Sequence, residues 1–473
     1  MTAGAARLDR AVSPLVLFAA CGVVGMVTGV LPHPLYAVGA VFGLAYLAVA
    51  LVSPVSAVTL FVVLTFLSQI SGIGATVSIE KGAGAVLVLG WLYHERVVEP
   101  RPWSDEVRRF TILSAAFIVW GIASTLWASD PHSALTSTLR IAQGPLLVLV
   151  VASVVRTVEA LRVVCYAFVA GAAAAAVGGM AGLTKTDAVI AASGRLSGGI
   201  LDPNYLAAVL VPAVVLSLFL ALTSSSRLMK VAIGAAGGVS TIGIFLTQSR
   251  GGVIALGVAA VGSVVAAGRF RRQVVLVLSL VGAFAAVYLL LFAPPQSFSR
   301  ITSFTANDGS GRTDLWAVAA KAFEQHPVNG IGAGNFTVVE QQYAVNFNRN
   351  LPRADLVVQV QQPVHNTYLH VATELGLVGL GLFLAILWIA LRACYRAATR
   401  SSGSTEALGR AIVVGSVGML VAFVFLTAQY EKQLWLVIAL LLAYAAAAAR
   451  VPPRAAPRAA TLRPAPAPVR PLR

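Results

Sequence analysis

The sequence predicts an all-α polytopic integral membrane protein. Hydrophobic residues make up 58% and charged residues only 11% of its 473 positions, far more apolar surface than a soluble domain needs. Apolar runs long enough to cross a bilayer recur along nearly the whole chain. A membrane barrel would instead show short segments of alternating polarity.

Apolar spans fall at about 11–31, 35–52, 54–70, 80–93, 110–127, 139–155, 162–182, 204–222, 231–247, 251–267, 274–292, 374–391, 411–428 and 433–449. Only Ser53 and Pro54 separate the second from the third, so the expected count is about 12–14. The first run is longer than the apolar stretch of a signal peptide and lacks a clear cleavage site, so it reads as a retained span. Four regions follow: spans with short loops over 1–292, one large polar loop over 293–373, C-terminal spans over 374–449, and a tail over 450–473. The tail is rich in Pro, Ala and Arg and cannot bury a core, so disorder is expected there. Cys21, Cys165 and Cys394 lie in or beside apolar runs, so neither a disulfide nor a thiolate metal site is expected in the loop.

The net charge of +16 looks at first like that of a nucleic-acid binder, but topology accounts for it. With a cytoplasmic N-terminus, the inside segments hold 23 of the 34 basic residues and 7 of the 18 acidic ones, so the whole net charge sits on one face. Basic residues in short loops mark the cytoplasmic side. The large loop is then extracytoplasmic and the tail cytoplasmic.

Three polar features share the outer side on this topology. The first is SGRLSGGILDPNYLA, with Arg195, Asp202 and Asn204, just before a span. The second is LTQSRGG, with Ser249 and Arg250, in a very short break between two spans. A charge there is costly, so Arg250 reads as functional rather than as a snorkelling side chain. The third is PVHNTYLHVATELGLVGLGLF, where His365, Asn366, Thr367 and Tyr368 precede an apolar run. Guanidiniums bind phosphate oxygens bidentately, so two arginines flanked by small residues suit a diphosphate. Serine and glycine beside them would allow close backbone approach and add donors. Histidine accepts a proton near neutral pH, and a helix N-terminus keeps it neutral. His370 and Glu374 lie one helical turn apart and read as a structural pair. Gly376, Gly379 and Gly381 suit close helix packing.

Within the loop, AVAAKAF after Trp316 reads as an amphipathic helix and HPVNGIGAGNF as a glycine-rich turn. Gln341, Gln342, Tyr343, Gln359, Gln361 and Gln362 are polar enough to line a carbohydrate-sized cavity. There is no phosphate-binding P-loop, no Gly-x-Gly-x-x-Gly, no His-Glu-x-x-His and no Asp-x-Asp. No nucleotide, cofactor or metal is therefore expected, and a lipid-phase diphosphate fits better than a sugar nucleotide.

HNTYLHVATELGLVGL, with GRTDLW, HPVNGIGAGNF, TQSRGG and DPNYLA in one order over about 190–390, resembles the bacterial O-antigen ligase and polymerase-like membrane glycosyltransferases. The first third of the chain matches only as a pattern of spans. The resemblance implies a GT-C-like membrane enzyme in the bacterial cytoplasmic membrane, active on its extracytoplasmic face. Such an enzyme moves a glycan from undecaprenyl diphosphate, or another polyprenyl diphosphate, to an acceptor hydroxyl without a metal or cofactor. It implies His365 as the catalytic residue and Arg195, Arg250 and Arg312 as donor-binding residues. Asn204, Ser249, Asn366, Tyr368 and Glu374 are expected to support them. Its partners are the lipid-linked glycan donor, a glycan or lipid-glycan acceptor and the bilayer, and not nucleic acid. About twelve spans are usual in that family. A repeat-unit polymerase of the same family fits the sequence as well as a ligase. A lipid-linked oligosaccharide flippase would place charges midway along spans and show inverted repeats, and neither is seen.

Overall fold

A computed structural model describes residues 34–67, 79–98, 103–183, 194–197, 202–291, 312–345 and 361–450. The first apolar run, the loop segments 292–311 and 346–360, and the tail from 451 lie outside the described residues. Every regular element among the described residues is helical. The helices are α1 (Pro34–Val52), α2 (Pro54–Leu67), α3 (Ile79–Tyr93), α4 (Asp105–Ala123), α5 (Pro131–Val154) and α6 (Val158–Met180). Next come α7 (Pro203–Thr223), α8 (Arg227–Leu246), α9 (Arg250–Ala266) and α10 (Arg271–Leu291). The chain then forms α11 (Arg312–Gln325), α12 (Phe336–Val345), α13 (Thr367–Arg400), α14 (Gly403–Ala422) and α15 (Lys432–Ala448).

The long helices begin where a short polar side chain satisfies the first backbone N–H groups. Ser104, Asp130, Thr157, Asp202, Ser226, Ser249 and Asn366 each cap the helix that follows. In α5 and α7 a proline at the first helical position adds a preset φ.

Among the described residues, seven helices are long and apolar enough to cross a membrane, or eight if α9 and the helix after it, bent by 110° to each other, form one span. Three shorter apolar helices accompany them among the described residues. The multi-pass helical architecture expected from composition is therefore present. The sequence treats all apolar runs alike, whereas the structure separates long spans from short ones and folds α9 sharply back at Gly268.

The most enclosed span is α7, with 72% of its apolar window buried. It is apolar on every side, as a helix surrounded by others must be. It packs against α6, α8, α9 and α14. A Cβ on Gly418 of α14 would meet Val211 at 2.7 Å and Ala259 at 2.9 Å, so glycine lets α14 nest between α7 and α9. Small residues at such crossings do the work that apolar burial does in water.

The large loop is itself folded where it is described. Leu315, Val318, Ala319, Ala322, Ile331, Phe336 and Val339 form a small core apart from the bundle core. The amphipathic helix read after Trp316 is present as α11 and begins at Arg312 itself. The turn 326–335 then plugs a break in α13. At Gly376 the chain has φ 67° and ψ −168°, which is not helical. The orphaned carbonyls of Thr373 and Glu374 accept hydrogen bonds from Ile331 N (3.0 Å) and Gly332 N (2.8 Å). Beyond the break, Leu377 N donates to Pro327 O at 2.8 Å, and Trp120 Nε1 donates to Leu375 O at 2.9 Å. Broken backbone at membrane depth survives only with such substitutes.

This corrects two of the three glycines read as packing residues; Gly379, where a Cβ would meet the Leu375 side chain, stays a close-packed position. Gly376 is the break, because its positive φ suits a residue without a Cβ. Gly381 has nothing within 4 Å of where a Cβ would stand. The span read as beginning at Glu374 is also two helical segments, Thr367–Leu375 and the stretch after Gly376.

Candidate active site

Five chain segments meet at one end of the bundle: the irregular residues at 195–197, the cap of α7, the α8–α9 break, the start of α11, and the turn before α13. Arg195 ties the first three together. Its Nε donates to Thr247 O at 2.9 Å and its guanidinium donates to Asn204 Oδ1 at 3.1 Å. Asn204 is oriented in turn by Asp202, whose Oδ1 accepts from Asn204 N (2.7 Å) and Nδ2 (2.8 Å). At least two of the five N–H donors of Arg195 are thus committed to protein acceptors. Its first effect is to hold the break between α8 and α9 against the start of α7.

That break is tight. Thr247 and Ser249 are almost fully buried, and Gln248 between them adopts φ 51°. Ser249 Oγ accepts from Gly252 N at 3.1 Å, capping α9 so that Arg250 is its first residue. The two glycines after Arg250 face protein. A Cβ on Gly251 would meet Phe425 at 2.8 Å, and one on Gly252 would meet Ala207 at 2.5 Å. The expectation that these glycines let a ligand approach is corrected: they let α9 approach its neighbours.

Arg250, Arg312, Asp202 and His365 act on one another electrostatically. Burial depresses the Arg312 guanidinium below its usual value, while Asp202 opposes the shift and Arg250 adds to it. Burial also lowers His365 from the usual 6.5 to about 4, with Arg312 reinforcing, Asp202 opposing and His370 reinforcing. The three polar features read from the sequence as sharing one side of the membrane therefore share one site. His365 is neutral at physiological pH, so it can accept a proton. Burial first, and Arg312 second, make it a weak base.

His365 is held in an unusual conformation, with φ 54°. Histidine enters the left-handed region more readily than most residues, yet such positions cost about 1–3 kcal/mol and need support. That support comes from Thr427. His365 N donates to Thr427 Oγ1 at 3.0 Å, and the same oxygen lies 3.3 Å from His370 Nδ1. His370 Nε2 pairs with Glu374 Oε1 at 3.0 Å. In the Nε2–H tautomer of His370, Thr427 accepts from His365 and donates to His370, and His370 donates to Glu374. Thr367 adds a second stitch, donating to Leu426 O (2.7 Å) and accepting from Ala428 N (3.0 Å).

Glu374 clamps three elements. It pairs with His370, accepts from Phe336 N (3.2 Å) at the start of α12, and accepts from Tyr430 OH (3.2 Å). Arg140 of α5 lies over the Tyr430 ring, 5.1 Å from its centroid, and pairs with Glu431 at 3.6 Å. The expected His370–Glu374 pair is formed, but it is more than helix packing. Through Thr427 it braces the backbone of His365. Asn366 caps α13 by accepting from Leu369 N (3.0 Å), and Tyr368 OH donates to Leu420 O (2.7 Å). Both side chains spend these contacts on the protein's own backbone.

Sequence reading passes over Asp202 as a functional group and misses Thr427 and Tyr430 altogether. The Asp-Pro-Asn start of α7 is a usable signal for Asp202. Nothing local marks Thr427, which reaches His365 from 62 residues away.

A cavity of about 340 Å³ opens beside the 326–335 turn, lined by Trp127, Ser129, His326, Asn329, Gln342 and Tyr343 among others. Of the residues expected to line a carbohydrate-sized cavity, Gln342 and Tyr343 do so. Gln341 and Gln361 are exposed away from it, Gln362 N donates to Glu340, and Gln359 lies outside the described residues.

No curated protein matches the chain. Residues 235–384 match the family described as O-antigen ligase. The matched stretch runs from α8 into α13 and includes Arg250, Arg312 and His365 but not Arg195. With its helical spans the chain is a multi-pass membrane protein, and its residues 235–384 are similar to the O-antigen ligase family.

Proposed function

We propose that this protein transfers a glycan from a polyprenyl diphosphate to an acceptor hydroxyl on the extracytoplasmic face of the cytoplasmic membrane. The reading is carried by Arg195, which ties the α8–α9 break to the start of α7, and by the electrostatic coupling of Arg312 to Arg250, Asp202 and His365. Three cations and a neutral histidine suit a reaction in which one group loses a proton and another leaves as a diphosphate.

The reaction is a single inverting displacement. The acceptor oxygen bonds to the anomeric carbon as the bond from that carbon to the diphosphate oxygen breaks. The acceptor proton passes to His365, and the bonding electrons leave with the lipid diphosphate. Fixed guanidiniums of Arg250 and Arg312 stabilise that charge, preorganised by Arg195 and the α8–α9 break. The donor also switches on the base. Burial is the larger cause of the low His365 pKa, but a diphosphate beside Arg312 offsets the second cause, so its basicity rises once donor is bound. The amide and aromatic groups around the 340 Å³ cavity are of the kind that bind sugars. The excess of basic residues at the opposite end of the bundle supports the outward orientation.

The test uses purified protein, lipid-linked donor and acceptor. His365→Ala should lose on the order of a hundred- to ten-thousand-fold in turnover while binding donor about as well as the unmodified protein. Near-normal turnover by His365→Ala would remove it as the base. Loss of donor binding instead would reassign it to the donor site.

A further inference from the structure

At the other end of α13 lies a cavity of about 1010 Å³ that the proposed chemistry does not use. Arg392, Arg396 and Arg400 of α13 and Arg109 of α4 line it, with Glu106 as the sole acid among the described residues of the lining. No ion pair joins any of these four arginines to a carboxylate among the described residues.

Simpler accounts of these charges fall short. Topology fixes the sign of charge on this face, but it does not make arginines from separate helices converge on one cavity. The helix macrodipole favours cations only near a helix C-terminus and fades within a turn. It explains Arg400, fails to reach Arg392 two turns earlier, and disfavours Arg109, which lies in the second turn of α4 near its N-terminus. The spacing 392, 396, 400 stacks like charges at successive i,i+4 positions, each pair mildly repulsive. A bound anion removes that repulsion. The tail from residue 451 cannot be the counter-ion, since it holds five arginines and no acidic residue.

The surroundings specify an amphiphilic anion. Trp388 is 60% exposed on the outer surface of α13, with Arg392 6.0 Å over its ring. Exposed tryptophan paired with arginine is the signature of the bilayer interface. The cavity wall continues along small apolar residues at the end of α15. We propose that this cavity binds the headgroup of an anionic phospholipid, with its phosphate among the four guanidiniums and its acyl chains along Trp388. Basic pockets between spans on this side of a membrane are suited to such headgroups.

The experiment titrates purified full-length protein, stripped of lipid in neutral detergent, with phosphatidylglycerol. Parallel titrations use phosphatidylcholine of the same chains and glycerol phosphate. Retained lipid is read by native mass spectrometry, and thermal stability by melting. Phosphatidylglycerol should be retained and raise Tm, while phosphatidylcholine should not. Arg396→Gln/Arg400→Gln should weaken retention at least tenfold. The control Arg271→Gln/Arg272→Gln removes two exposed arginines of α10 outside the cavity and should leave retention unchanged. Equal loss in both double variants would mean diffuse charge attraction and overturn the site. Tight binding of glycerol phosphate would overturn the lipid assignment in favour of a soluble anion. Retention unaffected by Arg396→Gln/Arg400→Gln would place the lipid elsewhere and overturn the proposal. Because melting of each variant without lipid is measured first, a folding defect is seen separately from lost binding.

Discussion

The two ends of α13 are built on opposite principles. At its start the helix is broken at Gly376, preceded by a histidine at positive φ, and braced by the buried pair His370 and Glu374. At its finish the helix is regular to Arg400, closes on Ser401, and carries its arginines in the open. Strain and buried polarity are costly, and along α13 they gather at the end where the proposed chemistry needs fixed geometry. The other end keeps ordinary backbone and leaves its charges exposed around an open cavity. Charge alone therefore does not mark the reactive end. What marks it is charge whose geometry is over-determined by the surrounding chain.

The contrast is tested most severely by placing the same change at the break and on the regular helix. Gly376→Ala forces a Cβ into the Val328 carbonyl at a φ that alanine rarely adopts. It should abolish transfer and lower Tm by many degrees. Gly381→Ala meets nothing within 4 Å and should hold or raise Tm, because alanine favours helix by about 1 kcal/mol over glycine. Similar melting of the two variants would show that the break is not a structural necessity.

A smaller effect is expected at the brace. Thr427→Val keeps shape but removes the oxygen that His365 N and His370 share. Turnover should fall about ten- to a hundredfold with little change in KM, and Thr427→Ser should restore it. Equal loss in both variants would point to packing rather than to the shared hydrogen bond.

The electrostatics of the reactive end predict a pH dependence. With His365 near 4 in free enzyme, kcat/KM should stay level down to about pH 5 and fall below it. Arg312→Gln removes the second-largest depressing influence and should move that limb upward toward the ordinary histidine range. The same group affects stability. Its folded pKa lies below its unfolded one, so its stabilising contribution is complete above about 6.5 and is lost as pH falls toward 4. His365→Gln should flatten that part of the melting profile. An acidic limb unmoved by Arg312→Gln would separate the two residues.

The large loop should respond least. Burial raises Glu340 from the usual 4.5 to about 7, opposed by the hydrogen bond from Gln362 N. A raised folded pKa means stability that is full below about 4.5 and declines as pH rises through about 7. Glu340→Gln should remove that decline and melt at or slightly above the unmodified protein at pH 8. A marked loss of Tm at pH 8 would show that the ionised carboxylate is needed.

Several parts of this arrangement are legible in the amino-acid sequence. Long apolar runs specify spans because lipid leaves backbone no alternative to the helix. Asp202, Ser249 and Asn366 announce helix starts because capping is a local interaction within three residues. Arg250 stands out because a charge between two spans has few bland explanations.

Other parts are not legible there, and each failure has the same origin. Gly376 reads as a packing glycine because its positive φ depends on carbonyls satisfied by the 326–335 turn, some forty residues upstream. Gly251 and Gly252 read as ligand-facing because Phe425 and Ala207, which they meet, lie far away in sequence. His370 reads as packing because Thr427 comes from the far side of two helices. The helical spans, their caps, the sign of charge on each face and the residue types able to do this chemistry follow from the chain alone, since all of these depend on neighbours within a few positions or on bulk composition. Which of those residues meet, which are strained and which are neutral at physiological pH is settled only in the packed fold, because conformation and pKa are set by burial and by groups that approach only when distant helices pack.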